Sequence, residues 1–350
     1  MAKLLSEGAY GCVYRPGVKC DGTLHSKEYL SKIQLSKART ANEPIIGKRL
    51  QTLKQYDRYF APALSVCKAV LTNIKKTEIQ RCGVLRKKDK KDKLNQPNQP
   101  NQPNQPNPVQ EELVSVKLKY VGKDTLGDNL YRHADRDPAS FYDHVLDTHI
   151  YLAGAIEELV KLRIIHHDIK LNNVMYSDTK HVPIMIDFGV AFQLDELYHE
   201  NNLRTIFFSH YEKYPPWCPE VMCIASIVSQ EKFETKKVNA PKLKTILDTF
   251  FADSPLTQTV PRALISTYKR QWHTFLNTFD QKAGKTVINA LLKQWHTWDL
   301  YSTHAMYYMV AATSEPPFPE AYQTYLISQI CGLPSKRDDV ATAITRLEKL

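Results

Sequence analysis

Residues 164–176 read IIHHDIKLNNVMY and contain a His-x-Asp triplet, with an asparagine five residues after the aspartate. In this stretch Asp168 can accept the proton of a hydroxyl group, and Lys170 can neutralise a phosphoryl group in transfer. Asn173 offers an amide oxygen, which is a ligand type suited to Mg²⁺. The stretch therefore predicts a phosphoryl-transfer loop.

The sequence on either side supports this interpretation. Residues 145–165 carry apolar side chains at helical spacing, which predicts a buried helix leading into the loop. Downstream, VPIMIDFGVAF reads as an apolar strand that ends in Asp187-Phe188-Gly189. Phosphoryl transfer needs positioning and cations around a spreading negative charge, and Asp187 can bind a metal ion that bridges phosphates.

The N-terminal part predicts strands and a glycine-bearing turn. In LLSEGAYGCVY, Gly8 and Gly11 would let backbone N–H groups approach phosphates with no side chain in the way. KEYLSKIQL reads as a strand that carries Lys32, and LVSVKLKYVGKDTL begins as another alternating strand. Each signal alone fits an ordinary hairpin or an exposed strand, and their order along the chain gives them weight.

In this order, the glycine-bearing turn, Lys32, the H-x-D-x-x-x-x-N loop and Asp-Phe-Gly resemble the eukaryotic-type protein kinase family. The resemblance extends to WCPEV, WDLYSTHAMYYMV and PSKRDD, and it covers the chain except for two insertions. The triplet Asp168-Ile169-Lys170 resembles the serine/threonine branch. A looser resemblance, through EGAYGCVYRPGVKC, YLSK, YFAPALSVC and WDLYS, is to the divergent kinases of nucleocytoplasmic large DNA viruses.

The resemblance implies a set of nucleotide contacts. Lys32 would hold the α- and β-phosphates of ATP and pair with a helix glutamate, for which Glu43 is the candidate. Because Pro44 disfavours a helical conformation at the residue before it, we expect Glu43 at a helix start rather than in mid-helix. The remaining nucleotide contacts implied are Leu5, Gly8, Gly11, Val13, Leu118, Lys119, Tyr120 and Val121.

The resemblance also implies metal and bracing residues. Asn173 and Asp187 would hold Mg²⁺, with Mn²⁺ as an alternative. Asp299 would brace the phosphoryl-transfer loop. Arg337 would pair with Glu220, the glutamate of the Cys-Pro-Glu segment.

The implied fold is α+β: a bilobal protein-kinase-like fold with a small β-rich N-lobe and a larger helical C-lobe, in a single domain over residues 1–350. The expected parts are an N-lobe over 1–118 with an insertion at 75–112, a hinge at 119–121, and a C-lobe over 122–350 with a helical insertion at about 225–290.

The first insertion holds much of the positive charge. The net charge is +10, and residues 75–93 include nine basic residues but only three acidic ones. Four Asn-Gln-Pro triplets follow, and proline at every third position is incompatible with helix or paired strand. We therefore expect residues 75–112 to be a disordered surface loop, either a plain solvated loop or a weak contact for polyanions.

The seven cysteines are Cys12, Cys20, Cys67, Cys82, Cys218, Cys223 and Cys331. Their odd number and the absence of a C-x-x-C motif predict free thiols in a reducing compartment, rather than zinc ligands. No apolar run approaches the length of a membrane span. The expected location is the cytoplasm, meaning host cytoplasm or virion if the protein is viral.

The leading functional hypothesis is a serine/threonine protein kinase that transfers the γ-phosphoryl group of Mg·ATP to protein hydroxyls. The alternatives are a pseudokinase scaffold, a small-molecule phosphotransferase of aminoglycoside-kinase type, and a nucleic-acid-binding module.

His167 stands where most such loops carry an arginine that binds a phosphorylated residue. A neutral imidazole cannot replace that guanidinium, so we expect a constitutive enzyme. Its segment 187–220 would be held by Phe207, Phe208, Tyr211 and Trp217.

Overall fold

The computed structural model of the protein describes residues 1–8, 11–36, 38–86, 112–198, 200–207 and 217–350. The fold is mixed α+β, with an antiparallel five-stranded sheet in the N-terminal region followed mostly by helices. Contacts divide the chain into two compact units. The sheet unit comprises Met1–Asp57, Ala61–Val121 and Asp187–Gly189, and the helical unit comprises Arg58–Phe60, Gly122–Ile186 and Val190–Leu350.

The sheet has the strand order β1-β2-β3-β5-β4. Its strands are β1 (Lys3–Glu7), β2 (Gly11–Arg15), β3 (Tyr29–Leu35), β4 (Ser65–Lys68) and β5 (Leu113–Lys119). Lys32 on β3 lies opposite Val13 on β2 and Val116 on β5. Because successive side chains alternate between faces, Lys32 shares one face with these valines, while Ile33 and Ser115 lie on the other face. Both strands expected around Lys32 and Leu118 are present.

The face of Ile33 is covered by a small apolar core. Its buried residues are Ala2, Cys12, Tyr14, Val18, Ile33, Ile74, Cys82 and Leu85. Helix α2 (Lys76–Gln80) and the helical residues 83–86 follow Ile74. Two carboxylates tie β1 to this segment: Leu4 N donates to Glu78 Oε2 at 2.8 Å, and Gly83 N donates to Glu7 Oε1 at 2.8 Å.

The expectation of a disordered loop over residues 75–112 is therefore wrong for residues 75–86. Within that part, Ile79, Cys82 and Leu85 pack into the apolar core despite the high local charge. The expectation rested on the summed charge of residues 75–93, which does not reveal apolar residues spaced along the same stretch. Residues 87–111, with the Asn-Gln-Pro triplets and five of the nine basic residues of the expected polyanion contact, lie outside the described residues.

The expectation of free thiols is wrong for four cysteines, which form the disulfides Cys12–Cys82 and Cys20–Cys67. The pairs are 70 and 47 residues apart in sequence, so sheet topology and not local spacing brings them together. The free cysteines, Cys218, Cys223 and Cys331, are all buried. The disulfides remove the reason given for a reducing compartment.

The helical unit contains short strand pairs and most of the helices. The strands are β6 (Ile164–Ile165) with β9 (Phe192–Gln193), and β7 (Val174–Tyr176) with β8 (Pro183–Met185). The helices are α3 (Leu126–Arg136), α4 (Phe141–Lys161), α5 (Glu200–Ile206), α6 (Pro219–Val228), α7 (Ala240–Asp253), α8 (Pro255–Gln258), α9 (Arg262–Asn277), α10 (Gly284–Leu292), α11 (Trp298–Ala312), α12 (Glu320–Cys331) and α13 (Val340–Leu347). The insertion expected at about 225–290 is thus helical. Within the described part of the chain, no helix has the length and apolar character needed to cross a bilayer.

Helix α11 is buried along almost its whole length, polar residues included. Two of its polar side chains contact side chains of α4. His304 Nδ1 lies 3.0 Å from His149 Nε2 on α4, and Tyr307 Oη donates to Thr148 Oγ1 at 2.9 Å. These contacts fix the helix that carries Asp299.

The cysteine pairing gives a direct test. Thiol titration of denatured, unreduced protein should find three reactive thiols, because four of the seven cysteines are paired. Replacing both Cys12 and Cys82 by alanine should lower the free energy of unfolding by about 4 kcal/mol, the chain-entropy value for a loop of this length. Urea unfolding of the sheet-unit signals measures this loss. Reduced wild-type protein is the control, and it should be destabilised at least as much as the double variant. In the thiol titration, seven reactive thiols would contradict the pairing.

Candidate functional site

In the sheet unit, Lys32 joins two carboxylates in a lysine–carboxylate cluster. Its Nζ lies 2.7 Å from Asp187 Oδ1 and 3.4 Å from Glu43 Oε2. Lys32 is only 9% exposed. Burial opposes the charged ammonium, yet the charges of Glu43 and Asp187 raise the pKa of Lys32 above its ordinary value. The lysine is therefore a fixed cation on the valine-lined face of the sheet.

Glu43 occupies mid-helix and not a helix start, which corrects the expectation drawn from Pro44. Helix α1 runs from Ala38 to Leu50 with the proline inside it. The contact with Lys32 outweighs the local preference of a residue before proline. Gln34 Nε2 also lies 3.4 Å from Glu43 Oε2. Burial and the charge of Asp187 raise the pKa of Glu43, and Lys32 opposes this rise.

Asp187 has a backbone conformation that residues with side chains rarely adopt, with φ of +58°. Its carboxylate is 42% exposed while it contacts Lys32. Gly189 lies close by, since a Cβ on it would stand 3.1 Å from Asp187 Oδ1. A strained backbone at a charged, half-exposed residue is a common mark of a functional position.

The glycine-bearing turn connects β1 and β2, where Gly8 N donates to Gly11 O at 2.8 Å. Gly11 is needed for packing, because a Cβ there would lie 2.6 Å from Ile33 O. A Cβ on Gly8 would be unobstructed. Val13 is partly buried opposite Lys32, whereas Leu5 is 52% exposed. The two residues at the tip of the turn, 9 and 10, are outside the described residues.

Of the expected hinge residues 119–121, the first is still paired in β5 and the other two follow the strand. Leu118 and Lys119 still belong to β5, and Val121 is the last residue of the sheet unit before Gly122. Tyr120 N donates to Glu28 O at 2.8 Å. Its N–H is therefore engaged within the sheet unit, and the contact of this stretch with adenine stays a prediction.

In the helical unit, the loop formed by residues 166–173, here called the HxD loop, gathers three of the predicted residues. Lys170 Nζ lies 3.1 and 3.0 Å from the two carboxylate oxygens of Asp168. Asn173 Nδ2 donates to Asp168 Oδ2 at 2.8 Å and to Asp168 O at 2.9 Å. Both Asn173 bonds use the amide nitrogen, and neither uses the amide oxygen.

Asp299 holds the start of the HxD loop from α11. Its carboxylate accepts the backbone N–H of His166 at 2.7 Å and that of His167 at 2.9 Å. Burial raises the pKa of Asp299, while His166 and the two backbone donors oppose the rise. A buried carboxylate that accepts two amide protons fixes the loop just before Asp168, which is the bracing role expected of it.

The HxD loop also holds the peptide that leads to Asp187. His166 Nε2 lies 3.0 Å from Ile186 O, and Ile186 N donates to Asn173 O at 3.0 Å. Ile186 is the residue directly before Asp187 in the chain. Both polar backbone groups of Ile186 are therefore occupied by the HxD loop.

Glu220 and Arg337 form the predicted pair at the end of the segment 187–220. Arg337 Nη2 donates to Glu220 Oε2 at 3.0 Å, and Nη1 donates to the other carboxylate oxygen. Both side chains are almost fully buried. Burial opposes the charge on Arg337, but Glu220 raises the pKa of its guanidinium. Arg337 Nε also donates to Gln329 O at 3.0 Å, so this bidentate pair anchors α6 to α12.

Sequence reasoning missed Trp217 as a hydrogen-bond donor and predicted only that it packs. Its indole Nε1 donates to His167 O at 3.0 Å. No sequence signal marks this contact, because its acceptor is a backbone carbonyl. Phe207 is buried as expected of a packing residue, and its ring lies near His167, whereas Phe208 and Tyr211 lie outside the described residues.

The buried pair gives a stability test. Arg337→Met should lower the free energy of unfolding by about 3–5 kcal/mol, because it leaves the Glu220 carboxylate buried without its partner. Arg163→Met is the control, since Arg163 and Asp195 form an ion pair whose side chains are 50% and 70% exposed. That change should cost less than about 1 kcal/mol. Urea unfolding of each variant measures the difference. Equal losses in the free energy of unfolding would show that the buried Glu220–Arg337 pair stabilises the protein no more than an exposed pair does.

The described residues thus form two groups: the lysine–carboxylate cluster in the sheet unit and the HxD loop in the helical unit. Within the described ranges, no group of three or more histidine, cysteine or acidic residues is arranged to hold a metal ion by itself. No protein-family model matches this sequence, and no curated protein is detectably similar to it.

Proposed function

We propose that the protein is a serine/threonine protein kinase that transfers the γ-phosphoryl group of Mg·ATP to protein hydroxyls. The observation that carries the proposal is the lysine–carboxylate cluster. It joins Lys32 to Glu43 and to Asp187, which lie 11 and 155 residues away in sequence. A buried lysine kept charged by two acids, one of them half exposed, is suited to anchoring phosphates.

The donor groups fit a nucleotide carrying magnesium. Mg²⁺ prefers hard oxygen ligands and usually takes one or two protein ligands together with phosphates and water. The Asp187 carboxylate and the Asn173 amide oxygen are ligands of this type. When bound, the ion would neutralise charge on the phosphates. A closed cluster of acidic residues is not needed for this chemistry.

The HxD loop supplies the groups that act on the acceptor hydroxyl. Asp168 would orient the hydroxyl and accept its proton. Lys170, about 3 Å from that carboxylate, would stabilise negative charge on the transferred group. The bonds from Asn173 and the brace from Asp299 hold Asp168 in place before substrate arrives. Such preorganisation is the largest protein contribution in phosphoryl transfer.

The choice of serine and threonine follows the resemblance of Asp168-Ile169-Lys170 to the serine/threonine branch. The second candidate is a pseudokinase scaffold that binds ATP without turnover. The Lys32–Asp187 contact and the Lys170–Asp168 contact favour the active enzyme, because both place a cation on a carboxylate that phosphoryl transfer uses.

The roles of the three charged residues can be tested by near-isosteric changes. Lys32→Met, Asp168→Asn and Asp187→Asn should each lower the rate of phosphate transfer to casein by about a hundredfold or more, a typical loss for one charge-stabilising contact. The measurement is transfer of label from γ-labelled ATP, together with the melting temperature of each variant.

Two variants provide matched controls. Lys117→Met changes a β5 lysine opposite Ser31, on the face of the sheet away from Lys32, and Asp135→Asn changes an exposed residue of α3. Both should keep the wild-type rate within about twofold, which is less than 0.5 kcal/mol of barrier. Wild-type transfer by Asp187→Asn would show that the metal site is wrongly assigned. ATP binding without any transfer by the wild-type protein would favour the pseudokinase.

A further inference from the structure

His167 lies within an aromatic cage, which consists of Phe192, Phe207 and Trp217. Its ring centroid is 4.7 Å from that of Trp217, 5.2 Å from that of Phe192 and 5.9 Å from that of Phe207. The Trp217 ring is tilted by 30° from the imidazole, and the two phenylalanine rings lie nearly perpendicular to it. All four side chains are buried.

The cage keeps the imidazole neutral. Burial, aided by the neighbouring His166, lowers the pKa of His167 to about 3. Among the described residues, its Nε2 has no hydrogen-bond partner. A neutral ring closed in by aromatic groups cannot act as the cation that would bind a phosphorylated residue. Whatever orders the HxD loop here, the side chain of His167 does not do it by charge.

The backbone of His167 is held instead, at both of its polar groups. Its N–H donates to Asp299 Oδ1 at 2.9 Å, and its carbonyl oxygen accepts the indole N–H of Trp217 at 3.0 Å. The residue has φ of +68°, a left-handed conformation that is rare for residues with side chains. Such a conformation persists only when its surroundings over-determine it. The next residue in the chain is Asp168.

Trp217 is itself rigidly placed. It precedes Cys218, the N-cap residue of α6, and Pro219 opens that helix. Glu220 in the first turn is paired with Arg337 in the core. The indole donor is therefore fixed to the helical core from its C-terminal side.

We infer that Trp217 is a positioning residue for phosphoryl transfer. Its hydrogen bond to His167 O and its stack on the imidazole fix the peptide before Asp168, which sets the direction of the Asp168 carboxylate. The aromatic cage thus takes the place of a clamp between a cation and a phosphorylated residue. The inference rests on the proposed function, since the role concerns that same site.

The test separates the hydrogen bond from the packing. Trp217→Phe keeps an aromatic ring in the cage but removes the indole N–H. We expect kcat to fall about tenfold or more, about 1.4 kcal/mol of barrier, with the KM for ATP changed less than twofold. Casein is the acceptor, and the melting temperature is measured alongside.

Trp272→Phe is the matched control. Trp272 is also fully buried, and its Nε1 donates to the backbone oxygen of Cys331 at 2.9 Å, far along the chain from the HxD loop. It should lose a similar amount of stability while kcat stays within twofold. If both variants lose kcat equally, Trp217 has a general structural role and the inference is wrong. An unchanged kcat in Trp217→Phe would overturn it as well.

A second readout does not depend on activity. Hydrogen exchange at the His166 and His167 amides should be faster in Trp217→Phe than in Trp272→Phe, because His167 loses one of the two side chains that hold its backbone. If the wild-type protein transfers no phosphate, the proposed function fails, and this measurement still tests the contact. Equal exchange in the two variants would overturn the role of Trp217.

The cage also predicts independence from phosphorylation. The candidate phosphosites in the segment are Thr205, Ser209 and Tyr211, of which the last two lie outside the described residues. Phosphatase-treated enzyme, and a variant with Thr205→Ala, Ser209→Ala and Tyr211→Phe, should keep kcat within about tenfold of untreated enzyme. A hundredfold loss that autophosphorylation restores would overturn the inference, because a charged clamp would then be required.

Discussion

One buried carboxylate orders the most important loop of the helical unit. Asp299 accepts two consecutive backbone N–H groups, from His166 and His167, inside a helix that is itself almost fully buried. An unpaired carboxylate would be costly at this depth, so the loop and the helix stabilise each other. From this anchor the chain presents Asp168 to Lys170 and Asn173, and it holds Ile186 directly before Asp187. The proposed chemistry depends on this constraint, because Asp168, Lys170 and Asn173 all belong to the loop that Asp299 holds.

The sequence predicted contacts well where a side chain has a recognisable partner type. The Glu220–Arg337 pair and the Lys32–Glu43 pair connect residues 117 and 11 positions apart, and both were implied by the resemblance in the order of motifs. Glu43 was misplaced along its helix because a local rule about proline was allowed to outweigh a tertiary ion pair. The tryptophan donor to His167 O could not be predicted, because a carbonyl acceptor exists at every residue.

The errors in the sheet unit have a different origin. Cys12 pairs with Cys82, and Cys20 with Cys67, across 70 and 47 residues, so spacing along the chain does not indicate the pairing. The basic insertion was read as one segment because its charge and repeats dominate the average. Its first part nevertheless closes the apolar core through Cys82 and Leu85, and it clamps β1 through Glu78. Composition therefore located the insertion but not its beginning.

The central claim is that these preorganised groups transfer phosphate and do not merely bind nucleotide. The most direct measurement is a single-turnover reaction of wild-type protein with γ-labelled ATP and a protein acceptor, with and without Mg²⁺, followed by phosphoamino-acid analysis. The account predicts label on serine or threonine that requires the metal ion. Saturable ATP binding in the presence of Mg²⁺, with no label on any amino acid, would contradict it.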